Sequence, residues 1–503
     1  MPGSGSPAIP ASVPAEPPGP PGARSAAARS LRWTLLESCG LSGLSFVALL
    51  FFSRYLSVAE FGIAAIAIGI VQLLTVPVDL LFHDALIRTG QATARHVDSA
   101  FTASLLLGAS LAGICWLLAD GFSGLIGQPE AGPVLRWMSL SLLASGCASA
   151  LVAMQRRRLQ FRTLALRSMI GRVGSALIGI GLAVAGAGVW SLVAQQVAMV
   201  GLATLALWAM APEKPRFALA WPELREMLRF GTVATFFSLL ATSTQRVFMI
   251  AVAALLGSQA AGLLSLAFRA VDMLRDIVGG AVSQLSLPIF ARLQGRPADL
   301  ERSFSAAVRL TTAAMYPLFA GLAVCSAEVV ELAFGARWLP AAPFVALLAV
   351  LTFQFFPRLF SVPIYNAAGR PALPAAALLA QIAFVVVGML LVGRFSLEAA
   401  AAVWAGRLAL GLAIDLWLLR RVTGIGIARQ LSGAAWPALA ALAMAAIVYV
   451  AKLHGLAAYG PGLRLALMVA LGSVAYPAIL WLARPGLVRE LLAFAGQALH
   501  RGR

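Results

Sequence analysis

Long apolar runs alternate with short polar segments along most of the chain, from about residue 33 to residue 483. A helix needs about 20 apolar residues to cross the hydrocarbon core of a bilayer. That test predicts spans near 33–53, 61–82, 100–119, 133–154, 164–185 and 188–210. A polar, partly amphipathic stretch follows, from Pro212 to Arg229, with Trp221 and Pro222 inside it. A second set is predicted near 230–256, 260–290, 304–334, 341–367, 371–393, 397–419, 433–451 and 463–483. The pattern is that of an all-α polytopic membrane protein with about 14 transmembrane helices. Pro288, Pro317, Pro357 and Pro363, in or near spans, mark places where a helix would bend, because proline removes a backbone donor.

The basic residues orient these spans. Of 38 Lys and Arg, 36 are arginine, and 26 fall in segments that would share one side of the membrane. The opposite side carries only six (Arg54, Arg136, Arg337, Arg394, Lys452 and Arg464), and the remaining six lie within spans. Short cytoplasmic loops retain Lys and Arg while translocated loops lose them, so both termini are expected in the cytoplasm. The organisation that follows is a disordered Pro/Ala-rich cytoplasmic tail over 1–32, a six-span N-terminal lobe over 33–210 and a cytoplasmic linker over 211–229. A six-span C-terminal lobe over 230–420, two additional spans over 421–484 and a cytoplasmic tail over 485–503 complete it. The tail before the first span has no apolar core of a cleavable signal, so the first span is expected to remain as an anchor.

Composition narrows the class. Hydrophobic residues make up 60% of the chain and charged ones 12%, with a mean hydropathy of +0.87, far from globular norms. The net charge of +18 is distributed among loops on one face. It reads as an orientation signal and an attraction to anionic lipids, with no nucleic-acid partner. Cys39, Cys115, Cys147 and Cys325 sit in apolar stretches as small buried hydrophobes. His83, His96, His454 and His500 are scattered, so no metal site and no cofactor is expected. The two lysines, Lys214 and Lys452, follow no glycine-rich phosphate loop, which excludes a P-loop ATPase. Outer loops are short, unlike those expected of a membrane polymerase, and the chain is not expected to be an enzyme.

The chain also repeats itself. Leu56-Ser57, with Gly62 after four intervening residues, joins the first two spans, and Leu256-Gly257 with Gly262 does the same 200 residues later. Transporter folds often arise from such internal repeats, so two lobes are expected.

Several segments resemble the Wzx-type polysaccharide flippases of the multidrug, oligosaccharidyl-lipid and polysaccharide exporter superfamily. They are Arg54 to Gly62 (RYLSVAEFG), Asp79 to Arg88 (DLLFHDALIR), Gln155 to Gly171 (QRRRLQFRTLALRSMIG), Gly188 to Gln196 (GVWSLVAQQ) and Phe334 to Pro343 (FGARWLPAAP). The resemblance covers roughly residues 31–425. It implies two pseudo-symmetric lobes around a central cavity in a bacterial inner membrane. It also implies translocation of undecaprenyl-pyrophosphate-linked oligosaccharides for exopolysaccharide or lipopolysaccharide synthesis, beside a polymerase and export machinery. The chain departs from the family at Leu81 and His83, where glycines are usual, and at Gln245-Arg246, where the seventh span commonly holds an acid.

Charge inside a bilayer is costly, so an intramembrane ionisable residue is a functional candidate by default. Arginine suits a pyrophosphate ligand because it stays charged when desolvated and offers a planar fork to phosphate oxygens. Arg172, Arg246, Arg269, Arg275 and Arg407 are therefore candidates for a cationic cavity. In the eighth span, Arg269, Asp272, Arg275 and Asp276 share one helical face, which should look into a cavity or at the other lobe. Internal pairing of these four is the competing reading. Arg358, between two prolines, is expected to snorkel to the cytoplasmic surface. Glu37, Asp79 and Asp415 are candidates for ion coupling or for pairing with an intramembrane arginine. Arg156, Arg157, Arg158 and Arg162 form a positive-inside anchor that would also attract a pyrophosphate from the cytoplasm. Two other functions stay open: an ion-coupled multidrug exporter, which should have an acidic cavity, and a non-transporting scaffold of a glycan assembly complex, which needs no cavity charge.

Overall fold

The structure, a computed structural model, describes residues 43–88, 93–292, 297–368, 370, 373–456 and 458–488, and no strand occurs among them. The first half comprises α1 (Gly43–Tyr55), α2 (Val58–Leu80), α3 (His83–Arg88), α4 (Ala94–Leu125), α5 (Ala131–Arg157), α6 (Phe161–Val184) and α7 (Val189–Met210). The second half begins with the long α8 (Trp221–Arg292), then α9 (Pro297–Val324), α10 (Ser326–Phe334), α11 (Ala342–Leu351), α12 (Phe355–Arg358) and α13 (Ser361–Ala367). It ends with α14 (Leu373–Gly388), α15 (Leu397–Thr423), α16 (Ile427–His454) and α17 (Pro461–Ala483).

Twelve helical stretches among the described residues are long and apolar enough to cross a membrane. One of them, Gly231–Arg275, is two helices meeting at Gly257, whose φ of 87° is left-handed and favours glycine. With α1, a shorter apolar helix, every span expected from the sequence has a helix within it, and the chain is an all-α multi-pass membrane protein. The span around Ala336–Tyr365 is not one helix. Two 3₁₀ turns, Ala336–Ala341 and Thr352–Gln354, interrupt it, and Pro357 and Pro363 fall in its fragmented part. Pro288 and Pro317 lie inside α8 and α9 without ending them.

The repeated junctions reverse the chain by different means. Between α1 and α2 a capping box does it: Glu60 N–H donates to Ser57 Oγ (3.2 Å) and Ser57 N–H to Glu60 Oε2 (2.8 Å). Inside α8, Gly257 supplies the turn. The halves approach closely at these two junctions, as they also do where a Cβ on Gly231 would overlap the carbonyl of Leu81. A Cβ on Gly62 would overlap the carbonyl of Ser258, and one on Gly262 would overlap the carbonyl of Val58. The contact is reciprocal with the 200-residue offset of the repeat. Without a hydrophobic drive between helices in lipid, such close backbone approach is what small residues provide. The turn Ala336–Ala341 completes this end: Trp338 Nε1 donates to Ser53 O (2.8 Å) and Arg337 Nη1 to Leu56 O (3.2 Å), while Arg337 Nη2 reaches Arg54 O. Trp338 and Leu56 are fully buried, and the Trp338 ring meets Phe61 edge-on at 5.4 Å.

The last two spans are fastened to α9 and α10. Buried Glu328 pairs with Lys452 (2.9 Å) and Arg464 (3.5 Å), and Arg429 pairs with Glu301 (3.1 Å). Tyr476 donates to Ala313 O at 2.8 Å. The connector between the halves is non-helical from Ala211 to Ala220, with bends at Pro212, Glu213 and Phe217. Its N–H groups at Arg216, Ala218 and Ala220 donate to Asp98 Oδ1 (2.8 Å), Thr102 Oγ1 (3.2 Å) and Ser99 Oγ (2.9 Å) on the first turns of α4. Phe217, Leu219 and Trp221 point outward.

Candidate functional site

Away from the crossed junctions, three cavities run through the molecule and share lining residues. The middle one, about 410 Å³, lies between the halves and is lined by Gln72, Arg172 and Gln196 on one side and Arg246, Arg269 and Asp272 on the other. Arg246 and Arg269 come from the two arms of α8, on either side of Gly257. Arg172, on α6, donates from Nη1 to Ser45 Oγ at 3.1 Å. The Arg269 guanidinium sits over the Phe61 ring, 5.1 Å from its centre. Among the described residues, none of these three arginines is in an ion pair. An unpaired charge removed from water costs several kcal/mol, so this geometry requires water or an anion in the cavity.

Gln72, Arg172 and Gln196 also line the cavity of the first half, again about 410 Å³. It holds Asp79, His83 and Arg167 and reaches exposed Arg156 at the end of α5. Asp79 accepts from Ser145 Oγ, and its backbone carbonyl accepts from Ser149 Oγ at 3.1 Å. Gln245, Phe268 and Asp272 connect the middle cavity to the largest one, about 700 Å³, within the second half. Here the charges are mostly matched. Arg275 pairs with Asp272 at 2.9 Å and Arg358 Nε with Asp415 at 2.5 Å. Arg407 lies over the Trp404 ring at 4.6 Å.

Of the residues singled out in the sequence, Arg172, Arg246 and Arg269 meet in the middle cavity, and Arg275 and Arg407 line the largest. The charged face of the eighth span does look into cavities. Arg275 pairs internally while Arg269 does not, so each reading holds for one residue; the Asp276 side chain lies outside the described residues. Asp79 lines the first cavity, Asp415 is held by an arginine, and Glu37 lies outside the described residues. The basic run divides: Arg156 lines the first cavity, Arg157 donates to Leu86 O (3.0 Å), Arg158 pairs with Glu213 (2.6 Å) and Arg162 is exposed. Arg358 is a correction. It does not snorkel but turns inward to Asp415, which lies 57 residues away in sequence. Arg167, which no sequence signal distinguishes from the neighbouring arginines of the basic run, also lines a cavity.

Apolar membrane-crossing helices in two halves, joined at a repeated junction and enclosing an arginine-lined cavity, define a multi-pass membrane transporter fold. The chain belongs to the polysaccharide biosynthesis protein family, which it matches over residues 51–343, in keeping with the Wzx-type flippases that its motifs resemble. It is 27% identical over 480 residues to the succinoglycan biosynthesis transport protein ExoT of Rhizobium meliloti (strain 1021), covering 93% of this chain and 95% of ExoT. It is 20% identical over 326 residues to the lipopolysaccharide biosynthesis protein WzxC of Escherichia coli (strain K12), covering 64% and 65% of the two chains. Among solved structures, the lipid II flippase MurJ in its inward closed conformation shares the fold, with a TM-score of 0.75 over 90% of this chain and 99% of MurJ at 13% identity.

Proposed function

We propose that the protein flips undecaprenyl-pyrophosphate-linked oligosaccharide repeat units across the bacterial inner membrane, for exopolysaccharide or lipopolysaccharide synthesis, by alternating access. The observation that carries this reading is the trio Arg172, Arg246 and Arg269, which faces one cavity between the halves with no ion pair among the described residues. Guanidinium forks hold phosphate oxygens bidentately, and a pyrophosphate bears enough charge to engage more than one. The family and the names of the relatives support the same substrate class. The arginine-poor face is the one with the packed junctions, and the first cavity reaches Arg156 on the arginine-rich face. With arginine-rich loops inside, both termini are cytoplasmic and the first cavity meets the cytoplasmic side at Arg156. Arg156 and Arg167 then supply the first attraction for the headgroup. Reorientation would part Gly62 from Ser258 and Gly262 from Val58 and open the other side. Asp79, bonded only by hydroxyls, is the better candidate for ion coupling; Asp415, held by Arg358, is structural. A drug-exporting role fits less well, because Arg156, Arg172, Arg246, Arg269 and Arg407 outnumber Asp79 once the two internal ion pairs are set aside.

The test is polymer export in a strain lacking the protein, rescued by wild type, Arg246→Ala or Arg269→Ala, with membrane levels measured in parallel. Losing a charged hydrogen bond of about 1.5–3 kcal/mol corresponds to roughly ten- to hundredfold weaker headgroup binding. Reduced export with accumulated lipid-linked units at normal protein levels is expected. Unchanged export in the deletion strain would overturn the reading, and full export by both variants would remove the arginines from it.

A further inference from the structure

The three connected cavities differ in chemistry in a way that a single headgroup pocket does not need. In the middle cavity Arg172, Arg246 and Arg269 are in no ion pair among the described residues, and Asp272, which also lines it, is held by Arg275. In the cavity of the second half, Arg275 and Arg358 are neutralised by Asp272 and Asp415. What remains there is a largely neutral lining of amides and hydroxyls, with apolar walls. It is also the largest space, about 700 Å³, within the range of about 300–1,000 Å³ that holds small ligands. Its polar lining is incomplete. Gln381 is 2% exposed, packs its amide against Gly411 of α15 and donates from Nε2 to Ala377 O (3.1 Å), yet among the described residues its Oε1 has no hydrogen-bond partner. Gln354 Oε1 and Arg407 Nε, on two other elements lining the cavity, also lack hydrogen-bond partners among the described residues. Buried polar atoms are rarely left unsatisfied, and each one calls for an explanation.

Resting on the flippase reading, we infer that this cavity is a subsite for the glycan, and that Gln354 and Gln381 are determinants of its selection. The ligand that fits is hydroxyl-rich and uncharged along most of its length. Sugar hydroxyls donate to the free amide oxygens and accept from Arg407, while Leu348, Leu351 and Val362 offer apolar surface to the C–H faces of sugar rings. Gln245, which donates to Asp272 Oδ2 at 3.2 Å, stands where this cavity joins the middle one. The pyrophosphate would lie at Arg246 and Arg269, with the attached sugar passing Gln245 into the second half. A site built from paired charges and neutral amides discriminates by hydrogen-bond geometry, because an ill-matched sugar leaves those buried groups unpaired.

The test compares binding of two probes to the full-length protein in lipid nanodiscs. One is undecaprenyl pyrophosphate without sugar; the other is the lipid-linked oligosaccharide extracted from the export-deficient strain. The variants are Gln381→Met and Gln354→Met, each checked for monodispersity and thermal stability. Wild type should bind the sugar-bearing lipid at least about tenfold more tightly than the bare one, a difference of about 1.4 kcal/mol. At least one methionine variant that remains folded should lose this preference while binding bare lipid as wild type does. Equal binding of the two lipids by wild type, or an undiminished preference in both variants, would overturn the glycan subsite. Failure of wild type to bind either lipid would instead bring down the flippase reading beneath it.

Discussion

The crossed junctions and the cavities are built from opposite materials. At the junctions, Gly62, Gly262, Val58 and Ser258 bring backbone against backbone, and Arg337 and Trp338 spend their donors on carbonyls across the interface. In the middle cavity, Arg172, Arg246 and Arg269 keep much of their hydrogen-bonding capacity unspent. Two faces that would part in the proposed transport cycle are thus held by close contact of small residues and a few hydrogen bonds. The charges are kept where a ligand would neutralise them. A seal without paired charges reopens without stranding an ion in lipid, which is the expensive outcome in a bilayer.

The largest effect should come from breaking the seal. Gly62→Leu forces a side chain into Ser258 and should leave the halves unable to close at this end. In a cysteine-free background, a cysteine placed at Gln196 should be protected from an impermeant thiol reagent added outside, and should be labelled once Gly62→Leu is added. Unchanged labelling would mean that the glycine crossing is not the barrier. Next in size is an effect on the cavity side. Arg358→Ala leaves the carboxylate of Asp415 buried without a partner, at a cost of about 3–5 kcal/mol. Thermal unfolding in detergent should show the loss, and the double variant Arg358→Met with Asp415→Leu should recover most of it. If the double variant is no better than the single one, the pair is not an isolated internal bridge. The smallest effect is expected from Trp338→Phe. It keeps the contact with Phe61 and removes one hydrogen bond to Ser53 O, worth about 1 kcal/mol. The same labelling experiment should detect a small rise in outside access; labelling as strong as with Gly62→Leu would make the indole, rather than the glycines, the main closure.

Hydropathy exposed the spans because length and apolar content are local properties, and the two junctions were visible because Gly62 and Gly262 keep their spacing from the preceding turns. Arg246 was readable as a cavity residue because no acid lies near it in sequence. The Arg358–Asp415 pair was not readable, since it joins elements from different spans and neither residue carries a periodic signal of the other. The same holds for Arg167, which sits among loop arginines in sequence and beside a cavity in space. The broken helix around Ala336–Tyr365 had only its prolines as a warning. The unsatisfied Gln354 and Gln381 had none, because a missing hydrogen bond is a property of surroundings assembled from several helices.

The stitching of Arg216, Ala218 and Ala220 to the start of α4 makes the connector a passenger of the first half. A loose tether would let the halves swing independently, absorbing their motion as slack. Here the slack has been taken up, so a change of angle between the halves has to be accommodated beyond Ala220, within α8. That helix carries Arg246 on one arm and Arg269 on the other. The link between the halves thus acts as a lever rather than a leash, and any tilt it transmits turns the arginines of the middle cavity with it.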